Sequence, residues 1–358
     1  MESNKKTRKF DKPLFVYRLK TVEVLNYTKK MIEFLIEENY VEYIYVEHIS
    51  EINSKEIFGD NKNEKFFKEF NKDTEDCNLC IIIGGDGTCL WANNLFKNSK
   101  NKIPPFFSFH GGNLGFLAIY YPEKYKTLLK ELYETTDYSF IHRKEIHCIL
   151  YEKEEVKDEK KDKDKVEEGD KDKVEEGDKD KEKDKDKDKK DEFEGYKEIK
   201  KFTGLNELYL EKKANMCHST LFIEDNFLAN VSSDGLIFAT PTGSTAYSLS
   251  AGGPILHNSV DGIIVTAICP FSLSFRPIVL PPNIKLRVKN NYQKFPERYC
   301  IIKIDGKDEG PLLDNQYIEI SLTDMSVDFL VLKKTQENLN KLWIEKISNS
   351  LGWNHAFK

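Results

Sequence analysis

The sequence contains no apolar run that approaches the roughly 20 residues of a membrane-spanning helix. We therefore expect no contact with a membrane. It also has no excess of basic residues, because 55 lysines and arginines face 61 aspartates and glutamates. Nucleic-acid-binding proteins are usually basic, so this balance predicts no nucleic-acid partner. The polar stretch at the N-terminus lacks the apolar core of a signal peptide, which favours a soluble protein in the cytoplasm.

Cysteine is present without the pattern of a disulfide framework. The chain has 7 cysteines, an odd number, and their spacing follows no known scaffold. Cys77 and Cys80 form a CxxC pair, but no second pair accompanies them. We therefore expect free thiols in a reducing compartment rather than disulfides or a zinc site.

The first part of the chain alternates between strand-like and helix-like patterns. Residues 13–20 are typical of a strand, and residues 21–38 carry apolar side chains at helical spacing. The β-branched run 81–83 predicts a buried strand that ends in a glycine turn. This alternation predicts an α/β domain over 13–140 with a mostly parallel sheet, preceded by a flexible N-terminus over 1–12. Ligands of such sheets lie beyond the carboxyl ends of the strands.

A charged insertion interrupts the sequence at residues 152–192. It consists almost wholly of Lys, Asp and Glu, and the octamer KDKVEEGD occurs twice in tandem. Such a segment buries too little apolar surface to offset the entropy cost of ordering it. We predict a disordered insertion at a loop tip that takes no part in the chemistry. A solvated single helix and an interaction tether remain as alternatives.

The rest of the chain is rich in short strand patterns. From about Lys197 onward, β-branched and aromatic runs are separated by turn residues at short, regular intervals. This predicts an all-β, antiparallel, sandwich-like domain over 141–330. Helical spacing returns near the end of the chain, so we expect a C-terminal helix within 331–358 that packs back on the first domain.

The glycine turn after the buried strand is the first candidate site. Gly84, Gly85 and Gly87 would expose backbone N–H groups at the start of a helix, where an anion such as phosphate binds well. Asp86 lies among them, although a carboxylate repels phosphate. One explanation is a functional carboxylate. The other is a turn aspartate that caps the following helix.

Three further segments concentrate residue types that bind ligands. Asn206 and Glu207 offer an adjacent amide and carboxylate for hydroxyl or carboxamide groups. Residues 240–254 are crowded with Ser, Thr and Gly, and residues 110–117 contain three glycines that permit close backbone approach. The alternatives are an ordinary strand start, a Ser/Thr-rich hairpin loop and a hydrogen-bonded histidine, His110, at a strand end.

Together these segments resemble the NAD kinases, the ATP-dependent family that makes NADP from NAD. The match follows family order from about residue 13 to the C-terminus, apart from the charged insertion, and looks closer to the eukaryotic branch. The GGDGT turn alone is moderately specific, whereas the TPTGSTAY stretch together with Asn-Glu is much more so. The positions that carry the resemblance are 84–88, 110–117, Asn206, Glu207, Asp234, Gly235, 240–254, 268–281 and 304–306.

The resemblance implies a phosphotransferase with an alcohol group as acceptor. It would move the γ-phosphate of ATP to the 2′-hydroxyl of the adenosine ribose of NAD, with Mg²⁺ bridging phosphate oxygens. Asp86 would be the general base, and a homodimer or homotetramer would be the assembly. The residues implied in NAD binding are Gly87, Asn206, Glu207, Asp234, Thr245, Ala246, Tyr247 and Ser250. Those implied in binding ATP are Gly84, Gly85, Thr88, Asp305 and Gly306, and no residue is assigned to a metal.

Two other functions stay open at this point. A lipid or sphingoid kinase shares the glycine turn, but it predicts an apolar acyl pocket or a membrane-contact segment, and neither is evident. A non-catalytic NAD(P)-sensing module would keep Asn206 and Glu207 but would not need Asp86. The presence of Asp86 therefore favours catalysis.

Overall fold

The structure of the protein is a computed structural model that describes residues 9–18, 21–47, 64–97, 99–112, 115–154, 192–291, 299–336 and 339–352. Most of the predicted charged insertion and most of the predicted flexible N-terminus lie outside the described residues. Both of those predictions therefore stay untested.

The first part of the chain forms a parallel sheet flanked by helices, as the alternating pattern predicts. Its strand order is β3-β2-β1-β4-β5, and every neighbouring pair in this run is parallel. Apolar strands without alternation fit a sheet that is buried on both faces. The elements are β1 (Pro13–Tyr17), α1 (Val22–Glu37), β2 (Ile44–Val46), β3 (Phe67–Glu69), β4 (Leu79–Gly84), α2 (Asp86–Lys97), β5 (Phe106–His110) and α3 (Tyr125–Glu134).

The second part is antiparallel and contributes to two sheets. Six strands form one sheet in the order β13-β12-β11-β8-β15-β16, and the others join the sheet of the first part. The strands are β6 (Tyr138–Lys153), β7 (Tyr196–Gly204), β8 (Glu207–Lys212), β9 (Cys217–Ile223), β10 (Asn226–Ser233), β11 (Gly235–Ala239), β12 (Ile263–Ile268), β13 (Ile278–Leu280), β14 (Leu286–Asn290), β15 (Cys300–Ile304), β16 (Lys307–Leu312) and β17 (Gln316–Leu332). The helices are α4 (Tyr247–Ser250), α5 (Lys333–Gln336) and α6 (Leu339–Leu351).

Strand β17 joins the two parts of the molecule. Its first half pairs with β14, its residue Phe329 pairs with Phe106 of β5, and β6 pairs with it on both sides of a break at residues 323–325. One 11-stranded sheet therefore runs through both parts. The predicted boundary between the two domains, at residues 140 and 141, falls inside β6. The domain boundaries therefore stay a prediction.

The apolar side chains form two main core clusters. One fills the space between the parallel sheet and its helices, and the other lies between the two antiparallel sheets. The prediction for the C-terminal helix is confirmed, because Leu339 and Leu342 of α6 pack against the first cluster. Within the described residues no helix is long and apolar enough to cross a membrane.

Candidate active site

Two glycine turns meet at the carboxyl ends of β4 and β5. In the register of these parallel strands Gly84 lies opposite His110. The N–H of Gly111 donates to the carbonyl oxygen of Gly84 at 3.0 Å. A Cβ atom on Gly111 would lie 2.6 Å from the Cα atom of Gly84, so the two backbones can cross only because this residue is glycine. The turns thus lie at the sheet edge where ligands are expected.

Asp86 is the first residue of α2, and its carboxylate binds the second turn. Oδ2 accepts a hydrogen bond from the Phe116 N–H at 2.9 Å, and Oδ1 accepts one from the Leu117 N–H at 2.8 Å. A Cβ atom on Gly115 would lie only 2.3 Å from Oδ1. Because both bonds come from a distant loop, this aspartate does more than cap α2. Each oxygen retains a lone pair for another donor.

Arg143 on β6 connects the two halves of the site. Its Nη1 donates to Thr242 Oγ1 at 3.2 Å and to Asn258 Oδ1 at 3.1 Å, while Nη2 donates to the Phe116 carbonyl at 3.5 Å. The side chain is 4% exposed. Burial lowers its pKa to about 10, and the charge of Asp86 opposes this shift. The guanidinium thus stays charged at neutral pH.

Lys346 on α6 is a second buried cation beside Asp86. It is 5% exposed and donates to the carbonyl oxygens of Phe116, at 3.2 Å, and of Ala118. Burial, followed by the nearby Arg143 charge, lowers its pKa to about 8, and Asp86 acts in the opposite direction. Two positive charges therefore surround the turn that holds the Asp86 carboxylate.

Sequence reasoning missed both cations. Arg143 carried no clear signal, because most apolar residues of β6 alternate on the other parity, and only the structure shows that Arg143 is buried. Lys346 carried little, since lysine is common on any amphipathic helix. Arg276, in the segment 268–281, is exposed and donates to the carbonyls of Leu273 and Phe275 in its own loop.

His110 ends β5 at the junction of the two turns. The ring is 2% exposed, and neither nitrogen has a hydrogen-bond partner. Burial and then the charge of Lys346 lower its pKa to about 4. The imidazole is therefore neutral at physiological pH, and the expectation of a hydrogen-bonded histidine is not what this structure shows.

Asp305 fixes the backbone from which Asn206 and Glu207 project. Its Oδ2 accepts from the Leu205 N–H at 2.8 Å, and its Oδ1 accepts from the N–H groups of Asn206 at 2.8 Å and Glu207 at 3.2 Å. Asp305 lies in the left-handed region with φ of +47°. Burial raises the pKa of its carboxyl, and Lys97 with the three N–H groups opposes the shift. Whether Asp305 and Gly306 also contact ATP stays a prediction.

Glu207 is a buried carboxyl with spare hydrogen-bonding capacity. Its Oε2 atom has no hydrogen-bond partner. Burial, and then the charge of Asp305, raises its pKa to about 8, although the Tyr247 N–H acts in the opposite direction. The protonated carboxyl can both donate and accept a hydrogen bond, which suits a ligand that carries hydroxyl groups.

The Ser/Thr-rich segment folds against this corner. The Thr240 N–H donates to the Asn206 carbonyl at 2.9 Å, and a Cβ atom on Gly243 would lie 2.1 Å from the same oxygen. The segment then forms a short 3₁₀ turn and helix α4. Tyr247 on α4 is 37% exposed, and its ring contacts Tyr209 of β8 at 5.1 Å. Most of the predicted NAD-binding residues are thus brought together.

Asp234 lies at the opposite end of β11 from Thr240. It precedes β11, whereas the segment from Thr240 follows that strand, so about 20 Å of extended backbone separates them. Its carboxylate is 2.6 Å from the Lys212 ammonium. Burial, and then the charges of surrounding groups including Asp234, raises the pKa of Tyr247. Tyr247 therefore lies within electrostatic reach of Asp234.

Comparisons with known proteins find similarity to one protein family. Family models described as the ATP-NAD kinase N-terminal and C-terminal domains match residues 14–138 and 205–332. NAD kinase 1 of Prochlorococcus marinus (strain NATL2A) is 34% identical over 255 residues, which cover 66% of this chain and 71% of that protein. The chain belongs to the NAD kinase family. The resemblance seen in the sequence is thereby confirmed, and these matches give no support to a lipid kinase.

Relatives from yeast extend the similarity over most of the chain. The ATP-NADH kinase YEF1 of Saccharomyces cerevisiae is 29% identical over 358 residues. The match covers 95% of this chain but only 63% of the yeast protein's length. The crystal structure of yeast NADH kinase complexed with NADH superposes with a TM-score of 0.73 at 23% identity, over 98% of this chain and 90% of that one. At that identity the superposition establishes the fold.

Proposed function

We propose that this NAD kinase family member transfers the γ-phosphate of ATP to the 2′-hydroxyl of the adenosine ribose of NAD, which gives NADP. The observation that carries the proposal is the Asp86 carboxylate, held by the Phe116 and Leu117 N–H groups at the crossing of two glycine turns. A carboxylate fixed in this way, with a free lone pair on each oxygen, can orient a hydroxyl nucleophile.

Asp86 is the general base of the proposed reaction. The attacking 2′-hydroxyl hydrogen-bonds to a carboxylate oxygen and loses its proton to it as the bond to the γ-phosphorus forms. In the same step the bond between the γ-phosphorus and its bridging oxygen breaks, and ADP leaves in line with the attack. Arg143 and Lys346 hold the loop that binds this carboxylate, because both donate to the Phe116 carbonyl oxygen.

The glycine turn around Asp86 is the proposed phosphate site. Gly84, Gly85 and Thr88 are the proposed phosphate contacts, because they lie at the N-terminus of α2, where the helix dipole favours an anion. ATP enters as its Mg²⁺ complex, so the metal neutralises phosphate oxygens as part of the substrate. In the described part of the chain no group of three or more His, Cys, Asp or Glu side chains could hold a metal ion. Asp305 and Gly306 are kept as proposed ATP contacts.

The corner of the β-rich part is the proposed NAD site. Asn206 and Glu207 bind hydroxyl groups of the dinucleotide, and Gly87 approaches the reacting ribose. Thr245, Ala246, Tyr247 and Ser250 line the pocket, and Asp234 lies toward the nicotinamide end. The exposed face of Tyr247 and the unpartnered Glu207 oxygen support these assignments.

A cytoplasmic location and a homodimer or homotetramer belong to the same proposal. All 7 cysteines are free thiols, which fits a reducing compartment. Phe271 and Leu273 are 76% and 90% exposed, and apolar side chains presented in this way are typical of an interface. Cell fractionation tests the location, and light scattering of the purified protein tests the assembly.

The assay that tests the proposed function measures NADP formation from NAD and Mg-ATP by the purified chain. We expect turnover, with the new phosphate on the 2′ position of the adenosine ribose. NADH is measured beside NAD, because the yeast relatives are named for NADH. Binding of NAD without any product, under conditions where the protein is folded, would contradict a catalytic role and favour the sensing module.

A further inference from the structure

One peptide bond lies between the two buried cations and the Asp86 carboxylate. The carbonyl oxygen of Phe116 accepts hydrogen bonds from Lys346 Nζ at 3.2 Å and from Arg143 Nη2 at 3.5 Å. The N–H on the other side of the same peptide bond, that of Leu117, donates to Asp86 Oδ1 at 2.8 Å. The two ends of a single peptide dipole thus contact opposite charges.

This arrangement orients the catalytic turn. A cation at the carbonyl oxygen polarises the peptide unit and strengthens the hydrogen bond that its N–H donates. The effect is large where water is excluded, and both cations are nearly fully buried. Lys346 also donates to the Ala118 carbonyl, so its ammonium bridges two carbonyls of the loop that holds Asp86.

Packing alone does not account for a lysine at this position. Helix α6 already buries Ile347 and packs Leu339 and Leu342 against the core. Burying an ammonium group costs free energy that an apolar side chain of similar length would avoid. We therefore expect the positive charge of Lys346 to have a function that an apolar side chain could not perform.

We propose that Lys346 is a positioning residue, which holds the Phe116–Leu117 peptide unit so that its N–H, that of Leu117, aims the Asp86 carboxylate at the substrate hydroxyl. Lys346 touches no reacting atom and acts through this peptide. The C-terminal helix is thereby part of the catalytic apparatus of the first domain. The inference rests on the role of Asp86 in the proposed function.

The charge of Lys346 also gives the proposal a pH signature. The charged or titratable groups that face it are Arg143 on β6, Asp86 and Cys89 on α2, and His110 on β5. Because burial lowers the Lys346 pKa to about 8, its positive charge is lost as the pH rises through that value. An arginine at this position would keep its charge to much higher pH.

The test compares Lys346→Met and Lys346→Arg with Lys341→Met, a matched control on the exposed face of the same helix. We expect Lys346→Met to lower kcat by about tenfold or more while the KM values for NAD and ATP change less than about threefold. We expect the kcat of the wild type to fall above about pH 8, and the fall to move to higher pH in Lys346→Arg. Lys341→Met should behave as the wild type.

Amide hydrogen exchange at Phe116 and Leu117 gives a second measurement that needs no activity. Exchange should be faster in Lys346→Met than in the wild type and unchanged in Lys341→Met. Equal exchange in all three proteins, or a Lys346→Met kcat within twofold of the wild type, would overturn the proposal. So would an alkaline fall in kcat that Lys346→Arg does not move. A wild type that makes no NADP defeats the proposed function, while the exchange experiment still decides the role of Lys346.

Discussion

Asp86 and Asp305 are both held by main-chain N–H groups from a distant segment, yet their surroundings differ. Asp86 accepts two such bonds, one on each oxygen, whereas Asp305 accepts three. A carboxylate offers about four lone pairs, so Asp86 retains more capacity for a substrate. The lone pairs left free on each oxygen, rather than the mere presence of main-chain N–H donors, therefore distinguish the proposed catalytic carboxylate from the one that braces the backbone.

The cations near Asp86 and Asp305 differ in whether they are already paired with other groups. Arg143 and Lys346 approach Asp86 through the peptide units that bind it, and neither makes an ion pair elsewhere among those that the described residues form. Lys97, whose charge acts on the Asp305 carboxyl, already pairs with Glu145 at 3.1 Å and donates to a backbone carbonyl. Positive charge is thus directed at the turn of Asp86, where we place the chemistry.

The largest effect is expected from a variant that displaces the Asp86 carboxylate and leaves the residue itself unchanged. In Gly115→Ala the new Cβ atom would lie 2.3 Å from Asp86 Oδ1, so the carboxylate must shift. We expect kcat to fall about 10- to 100-fold, because a displacement of about 1 Å misaligns the base. Steady-state kinetics, with the thermal midpoint as a control for folding, measures the effect. A kcat within twofold of the wild type would show that the position of the carboxylate is not critical.

The second prediction concerns the brace at Asp305. Asp305→Asn weakens three hydrogen bonds to Leu205, Asn206 and Glu207, and buried N–H groups are left without a good acceptor. We expect a loss of about 1–3 kcal/mol in the free energy of unfolding. Thermal denaturation measures it, and an unchanged midpoint would contradict the bracing role. A raised KM for ATP in the same variant would support the prediction that Asp305 contacts the nucleotide.

The third and smallest effect is the pH dependence of stability at Glu207. Its folded pKa, about 8, lies above the ordinary value of 4.5, so the folded state favours the protonated carboxyl. The stability contributed by this group is complete below about pH 4.5 and is lost as the pH rises through about 8. The side chain in Glu207→Gln cannot ionise. The thermal midpoint of this variant, relative to that of the wild type, should therefore rise by about 2 °C or more between pH 5 and pH 8.5. A difference that stays constant with pH would contradict the shift.

The sequence predicted local features of the fold better than long-range ones. The run 81–83 and the glycines after it suffice to predict a strand, a turn and a helix start. The sequence breaks the strand pattern of β17 near residues 323–325. The structure continues it through a register shift between Leu322 and Ser326, since β6 pairs on both sides of the break.

The site was predictable to the same extent. Asp86 and the Asn206–Glu207 pair could be singled out through the family resemblance of the motifs around them, because alone they also fit a turn aspartate and an ordinary strand start. Their partners could not be inferred, because the bonds from Phe116 and Leu117 join turns that are about 30 residues apart. Lys346 is farther still, with 230 positions between it and the carbonyl that it contacts. Only the packing of the sheet and α6 brings these groups together.

The most direct test of the central claim is the single-turnover rate of phosphoryl transfer in Asp86→Asn. The variant keeps the size of the side chain and one acceptor oxygen but cannot accept a proton at neutral pH. We predict a rate at least about 100-fold below that of the wild type, with NAD affinity changed less than about threefold. A variant that transfers phosphate nearly as fast as the wild type would contradict the role of Asp86 as the general base, while leaving the NAD kinase function intact.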